Sequence, residues 1–349
     1  MTALAEIIRG MIRDDGPMTL DRYMALCLGH PQHGYYITRD PFGGAGDFTT
    51  APEISQVFGE LVGIWVAQAW QAMGSPRHWA LVELGPGRGT LMADMLRVLA
   101  KVEHAAKAVE IHFVETSPAL RAAQAARVPQ ATWHHTISSL PSRPTIIVAN
   151  EFFDALPIRQ FERRNGQVFE RVVGLEGNAL SMGLVPSPVP VRMRGEGVIE
   201  DSSLRDALAT QMADHLASVT GAALVIDYGH IRSSPGDTLQ ALRKHKSVPI
   251  TESPGEADIT SHVDFESLGR ACAGAGLRVS GIMPQGDFLN AMGLEARTDV
   301  LSRTVEGDPR AQLIAASERL AHPGQMGHLF KVMAVTSAGV PPPYPFGEQ

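Results

Sequence analysis

From His78 onward, short apolar runs that end in polar residues alternate with loops and with stretches of helical periodicity, and this alternation narrows the fold more than any other feature. WALVEL (79–84), VEIHFVE (109–115), PTIIVAN (144–150) and AALVIDYG (222–229) read as strands. Helical patterns occupy 91–99 and 117–127, an amphipathic helix over 204–219 leads into the fourth run, and 277–283 and 328–335 read as closing strands. Runs this continuously apolar are buried on both faces, so the pattern predicts an α/β fold with a parallel sheet covered by helices. Such sheets bind ligands beyond the carboxyl ends of their strands. Here those ends carry Glu83 and Gly85, Glu115, Asn150 and Glu151, and Asp227 and Tyr228.

Ahead of the alternation, Leu4, Ile7, Ile8 and Met11, then Leu20, Met24 and Leu28, recur at helical spacing and predict two short helices. The stretch 29–53 is too rich in Gly and Pro for a regular element. Its aromatics, among them Tyr35, Tyr36, Phe42 and Phe48, are too many for a solvated linker, so it predicts an ordered loop. Ile54, Phe58, Leu61, Trp65 and Ala69 then keep one helical face, which assigns Trp65 and Trp70 to the core. RQFERRNGQVFERVV alternates around Asn165-Gly166, the dipeptide of a type I′ hairpin. The Pro-rich tail after Ser337 predicts an extended or frayed end. The organisation expected is an N-terminal helical and lid segment (1–75), a core (76–160, 221–283 and 325–335), insertions (161–220 and 284–324) forming a second domain, and the tail (336–349).

A net charge of −7 without a basic stripe argues against nucleic acid as a partner. The longest apolar stretch, 61–70, falls well short of the roughly 20 residues that cross a bilayer, so no stable membrane insertion is expected. Near the start, Arg9 and Arg13 are mixed with Glu6, Asp14 and Asp15 and no apolar targeting run follows, which reads as mature sequence. Cys27 and Cys272 lack metal or redox spacing and are expected reduced and packed. The His residues form no H-x-x-x-H pair or three-ligand cluster, and no metal is expected.

The strongest chemical signal is Glu83-Leu84-Gly85-Pro86-Gly87-Arg88-Gly89-Thr90, placed between a strand and a helix. Glycines let the chain turn tightly and let backbone approach a ligand. A dinucleotide fingerprint needs a third glycine where Thr90 stands. A pyrophosphate also favours a helix start free of carboxylates, whereas a sulfonium with an amino-acid end welcomes Glu83, so the balance favours S-adenosylmethionine. Glu115, with Thr116 beside it, closes the second strand where a carboxylate accepts two hydrogen bonds from a ribose diol.

The strings GYY, GDFTTAPEISQVFGE, ELGPGRGT, VETSP, ANEFFDALP, IDYG, TLQALRKH and ADITSHVDF, in this order, resemble the MidA family of class I methyltransferases over nearly the whole chain. GDFTTAPEISQVFGE and NEFFDALP are specific to that family. The resemblance implies a Rossmann-like, seven-stranded methyltransferase core with a second domain built from insertions, and S-adenosylmethionine as donor. The family includes a mitochondrial complex I assembly factor that resembles a protein arginine methyltransferase, so the resemblance implies arginine in a complex I subunit as acceptor. It places a bacterial member in the cytoplasm and a eukaryotic one in the mitochondrial matrix.

A guanidinium is a poor nucleophile that must be oriented and its charge offset. Asn150, Glu151 and Asp154, on the loop after PTIIVAN, are the catalytic candidates: Asn150 for the donor's methionine end or a substrate nitrogen, Glu151 for bidentate pairing with guanidinium, Asp154 in support. The donor-binding candidates are Glu83, Gly85, Pro86, Gly87, Gly89, Thr90, Glu115, Thr116 and Asn150. Tyr35, Tyr36, Asp47, Thr49, Thr50 and Glu53 are lid candidates, and Tyr228 and His262 rim candidates. Apolar residues of the insertions suit either a homodimer contact or a substrate groove. The competing readings are a non-catalytic assembly chaperone with a nucleotide-binding fold and, disfavoured by Thr90, a nicotinamide or flavin oxidoreductase.

Overall fold

In the computed structural model, which describes residues 2–38, 50–102, 104–191 and 195–347, all residues of WALVEL lie buried as strand β1 (Trp79–Leu84). It is joined by β2 (Val109–Val114), β3 (Thr132–His134), β4 (Thr145–Asn150), β5 (Gly221–His230), β6 (Arg278–Pro284) and β7 (Phe330–Thr336). Their order is β6–β7–β5–β4–β1–β2–β3. From β1 to β5 neighbours run parallel, and β7 lies antiparallel between β5 and β6. The path is the seven-stranded core that the resemblance implies. Strand order reverses beside β1, the place at which open α/β sheets take their ligands. The short edge strand β3 is not apparent in the sequence.

The chain divides into two units. The larger comprises the described residues of Thr49–Phe153, Leu208–Ile231 and Phe265–Gln349; the smaller comprises those of Met1–Phe48, Asp154–Ala207 and Arg232–Asp264. In the larger unit, helix α1 (Gln56–Ala72) buries Val57, Phe58, Leu61, Val62, Trp65 and Val66 completely, each contributing about 1.5–3 kcal/mol relative to exposure. It packs on α2 (Thr90–Leu99) through glycines. A Cβ at Gly59 would stand 2.5 Å from Asp94 Cβ, and one at Gly63 2.9 Å from Met95 Cα. A bulkier residue at either position forces the helices apart. Glu60, buried on α1, is held by Arg297 at 2.6 and 3.1 Å and by Arg97 at 3.4 Å. Burial pushes its pKa up, but the two guanidiniums outweigh it and hold the carboxyl below its ordinary value.

Several expectations change here: residues 232–264, expected in the core, belong to the smaller unit, and 208–220, expected among the insertions, belong to the larger. Residues 284–324, expected among the insertions, fold with the larger unit, because Phe288, Leu289, Leu294 and Leu320 join the core cluster that contains Trp65 and Val332. The tail, expected extended or frayed, is pinned by its aromatics: Tyr344 and Phe346 pack on the same core, Phe346 with its ring 6.1 Å from that of Phe288.

The smaller unit is antiparallel. Its central strand, Gln167–Glu176, pairs with Met18–Thr19, Arg159–Arg164 and Ala179–Pro186, and Gly197–Asp201 pairs with Arg159–Arg164. Asn165 and Gly166 turn the hairpin at φ +50° and +77°, as a type I′ turn requires. Helices Ala3–Asp15 and Leu20–Gly29 bury Leu4, Ile8 and Met24 with Ile158, Val173 and Ile259. Thr2 caps the first of these helices, accepting from the Ala5 N–H at 3.1 Å. Cys27 and Cys272 are buried and in no disulfide among the described residues.

Candidate active site

Successive parallel strands deliver polar residues to one end of the core. After β1 the chain turns through Gly85, Gly87 and Gly89 at φ +62°, +53° and +77°, the left-handed region that side chains resist. Space is limiting too, since a Cβ at Gly85 would lie 2.9 Å from Phe152 Cδ2. The Gly85 N–H donates to the Val114 carbonyl at 3.1 Å and the Gly89 N–H to the Pro86 carbonyl at 2.7 Å, which ties the turn to β2 and leads it into α2. The Thr90 hydroxyl donates to Glu53 and accepts from Arg127, both at 2.5 Å, so this side chain is committed within the protein.

Glu83 and Glu115 are both buried. Glu83 receives one backbone hydrogen bond, from Met92, and its Oε2 has no partner among the described residues. Burial holds its carboxyl well above the usual range, and the Met92 N–H offsets this only in part. Glu115 Oε1 accepts from the Thr116 and Ser117 N–H groups, each at 2.7 Å, and Oε2 accepts from Gln124 at 3.2 Å. Burial raises its pKa, while these donors and Arg121 pull it back. An ionised carboxylate has about four acceptor directions, so Glu115 retains capacity for a further donor.

Asn150 closes β4. Its Nδ2 donates to Glu151 Oε1 at 3.2 Å, and its buried Oδ1 has no partner among the described residues. Glu151 follows at φ +51°, a conformation that costs a non-glycine residue about 1–2 kcal/mol. Its Oε1 also accepts from the Ala51 N–H at 3.0 Å, at the start of the helical turn Ala51–Ile54 that carries Glu53. Asp227, fully buried in β5, holds this loop in place. One of its oxygens accepts from the Phe152 and Phe153 N–H groups at 3.2 and 3.0 Å, the other from the Tyr228 N–H at 2.9 Å. The Tyr228 ring meets Phe330 edge-on at 5.5 Å.

The remaining sequence candidates divide between the units. Thr50 is buried just ahead of Ala51, in the larger unit. Asp154, Tyr35, Tyr36 and His262 belong to the smaller one. There Tyr35 is buried with its ring edge-on to Tyr36, and the Tyr36 hydroxyl donates to Asp258 at 2.8 Å. Arg205, also buried, donates to the carbonyls of Asp154 at 2.9 Å and His262 at 2.7 Å, which brings those two candidates together through their backbones. Asp47 and Thr49 lie outside the described residues. Sequence reasoning missed Gln124, Asp227 and Arg205 as organisers. Asp227 left a visible signal, an acid ending an apolar strand run, and so did Gln124, a polar residue four positions after Leu120 on a buried helix face.

A family described as "Putative S-adenosyl-L-methionine-dependent methyltransferase" matches residues 61–283. The chain belongs to this family. Its methyl donor is S-adenosylmethionine. The chain is 35% identical to the protein arginine methyltransferase NDUFAF7 homolog, mitochondrial, of Drosophila melanogaster, over 95% of this chain and 84% of the relative. It is 34% identical to the mitochondrial protein arginine methyltransferase NDUFAF7 of Homo sapiens, over 93% and 81%. A COG1565 superfamily member from Burkholderia thailandensis, solved in complex with S-adenosyl-homocysteine, superposes with a TM-score of 0.82 at 30% identity, covering 97% of this chain and 92% of that one.

The residues present suit the family's donor. A glycine turn without room for a side chain at Gly85, a buried acid with an unpartnered oxygen at Glu83 and an unpartnered amide oxygen at Asn150 offer close backbone approach and acceptors for a cationic, amino-acid-bearing group. Among the described residues, no cluster of three or more His, Cys, Asp or Glu is placed to hold a metal ion, and no helix is long and apolar enough to cross a membrane.

Proposed function

We propose that the protein methylates an arginine of a respiratory complex I subunit and thereby assists assembly of that complex. The carrying observation is Glu151, a carboxylate held at positive φ beside Asn150, on a loop fixed by Asp227 and packed against Gly85 of the turn. The naming of relatives as protein arginine methyltransferases supports the choice of acceptor. The donor supplies an electrophilic methyl group on a sulfonium; orientation and charge compensation fall to the chain. Glu83, Gly85, Pro86, Gly87, Gly89 and the Thr90 backbone hold the donor, and Glu115 with Thr116 takes the ribose. Glu151 pairs with the guanidinium and offsets the charge it must redistribute on losing a proton. Asn150 Oδ1 accepts from an N–H of donor or substrate, and Asp154 supports the loop's charge. Acceleration comes from positioning in a desolvated pocket rather than from a covalent intermediate. The smaller unit, whose interior Tyr35 and Tyr36 help to pack, recognises the acceptor protein, in the cytoplasm of a bacterium or the matrix of a mitochondrion.

Mass spectrometry of respiratory subunits from a strain lacking the gene tests this: one arginine methylation disappears, and Glu151→Ala restores at most about 1% of the wild-type rate while still binding S-adenosyl-homocysteine. Full methylation by Glu151→Ala would remove the catalytic assignment. Rescue of assembly by a variant that binds no donor would instead make the protein a chaperone.

A further inference from the structure

Helix α3 (Pro118–Arg127) places Gln124 fully inside the larger unit, four residues after buried Leu120. A buried primary amide is costly unless its donors and acceptor are all used. Those of Gln124 are: Nε2 donates to the Gly87 carbonyl at 2.8 Å and to Glu115 Oε2 at 3.2 Å, and Oε1 accepts from the Trp133 indole N–H at 2.8 Å. An indole N–H can only donate. The amide oxygen must therefore face Trp133, and the NH₂ must face Gly87 and Glu115. A half-turn of the amide would oppose two donors at Trp133 and set an oxygen against two acceptors. Trp133, in β3, thus fixes the direction of an amide that joins two stretches of chain far apart in sequence: the glycine turn and the acid that closes the β2 region.

We propose that Gln124 is a positioning residue for the methyl donor, locking the glycine turn and the Glu115 carboxylate into one rigid cradle, with Trp133 setting its orientation. This rests on the reading of Glu115 as the ribose partner. Neither Gln124 nor Trp133 needs to touch the donor; each acts through the groups it holds.

The test uses the full chain and calorimetric titration with S-adenosyl-homocysteine, with thermal unfolding of the ligand-free proteins alongside. Gln124→Met keeps the volume and removes all three hydrogen bonds; it weakens binding about tenfold. Gln124→Glu keeps the acceptor for Trp133 but sets a second carboxylate against Glu115, and weakens binding further, about thirtyfold or more. Trp133→Phe leaves Gln124 present but unoriented and costs about threefold. Combined with Gln124→Met it adds nothing, because both act through one amide. In steady-state assays Gln124→Met raises the donor KM, while kcat and the acceptor KM stay within about twofold, a split that general loosening of the fold does not produce.

Binding within twofold of wild type in both Gln124→Met and Trp133→Phe overturns the proposal, as does full additivity of the two losses. If Gln124→Met does not fold, Trp133→Phe carries the test, and wild-type binding by that variant is again a refutation. Glu115→Gln separates the two levels. Undiminished binding there removes the ribose reading and this inference with it, whereas at least tenfold loss there, with none in Gln124→Met, removes only the role of Gln124.

Discussion

Two glutamates, one in each unit, are buried in sheets and have opposite electrostatic surroundings. Glu170, 1% exposed in the central strand of the smaller unit, meets Arg159 fork to fork, at 2.7 and 2.8 Å. Glu83, 3% exposed in β1, has a backbone N–H and no cation among the described residues. The antiparallel sheet therefore carries its own counter-charge, and the end of β1 does not. A buried acid without a cation persists by holding its proton or by receiving a positive group from elsewhere. Burial of charge alone does not mark a candidate binding site; a buried acid without an internal cation is the stronger candidate.

The comparison can be broken most forcefully in the smaller unit. Glu170→Ala strands Arg159 and lowers unfolding stability by about 3 kcal/mol, measured by urea denaturation, while S-adenosyl-homocysteine affinity stays within twofold. A parallel loss of affinity would mean that the two acids do not serve separate purposes. Glu83→Gln is next in size. It weakens S-adenosylmethionine binding by about tenfold or more, and by less for the uncharged thioether product, in paired calorimetric titrations.

The same Glu83→Gln substitution also changes how stability depends on pH. Because burial raises the Glu83 pKa in the folded state above its ordinary value of 4.5, the native protein keeps a proton that the unfolded chain releases. Stability then falls as pH rises from that value through the raised folded one. Ligand-free Glu83→Gln has no such proton to release, and its melting temperature accordingly declines less than that of wild type between pH 5 and 8. An unchanged slope would place the proton elsewhere. The smallest effect belongs to Asp237→Asn, whose half-exposed carboxylate pairs with Arg171 at 2.6 Å. Such a pair contributes less than about 1 kcal/mol, and a larger loss in denaturation would blur the line between buried and surface charge.

What the sequence discloses follows from how local each feature is. Strand ends, the glycine turn and the Asn165-Gly166 hairpin are legible because apolar runs, tight turns and positive φ each leave a mark within a few residues. The acids at 83, 115 and 151 are legible as positions, since sheet geometry predicts where strand ends point. Their electrostatic states are not: Glu115 is surrounded by donors and Glu83 nearly without them, and that depends on Ser117, Gln124 and Met92, whose approach only folding decides. Asp227, Arg205 and the helix contact at Gly59 and Gly63 likewise act across 74, 51 and about 35 positions of chain. Tyr344 and Phe346 show the converse error, in which proline content outweighs two aromatics that dock on the core.

The interleaving of the two units has a consequence for biosynthesis. Leu4, Ile8 and Met24 leave the ribosome long before Ile158, Val173 and Ile259, the residues that cover them. At roughly 5–20 residues per second, the apolar faces of the first two helices wait about 10–50 s for the full set of partners. No nascent fragment shorter than about three-quarters of the polypeptide contains a complete copy of either unit. C-terminal deletions that reach back past residue 264 therefore yield chains with exposed apolar helices and dependence on holding chaperones, not a trimmed but working enzyme.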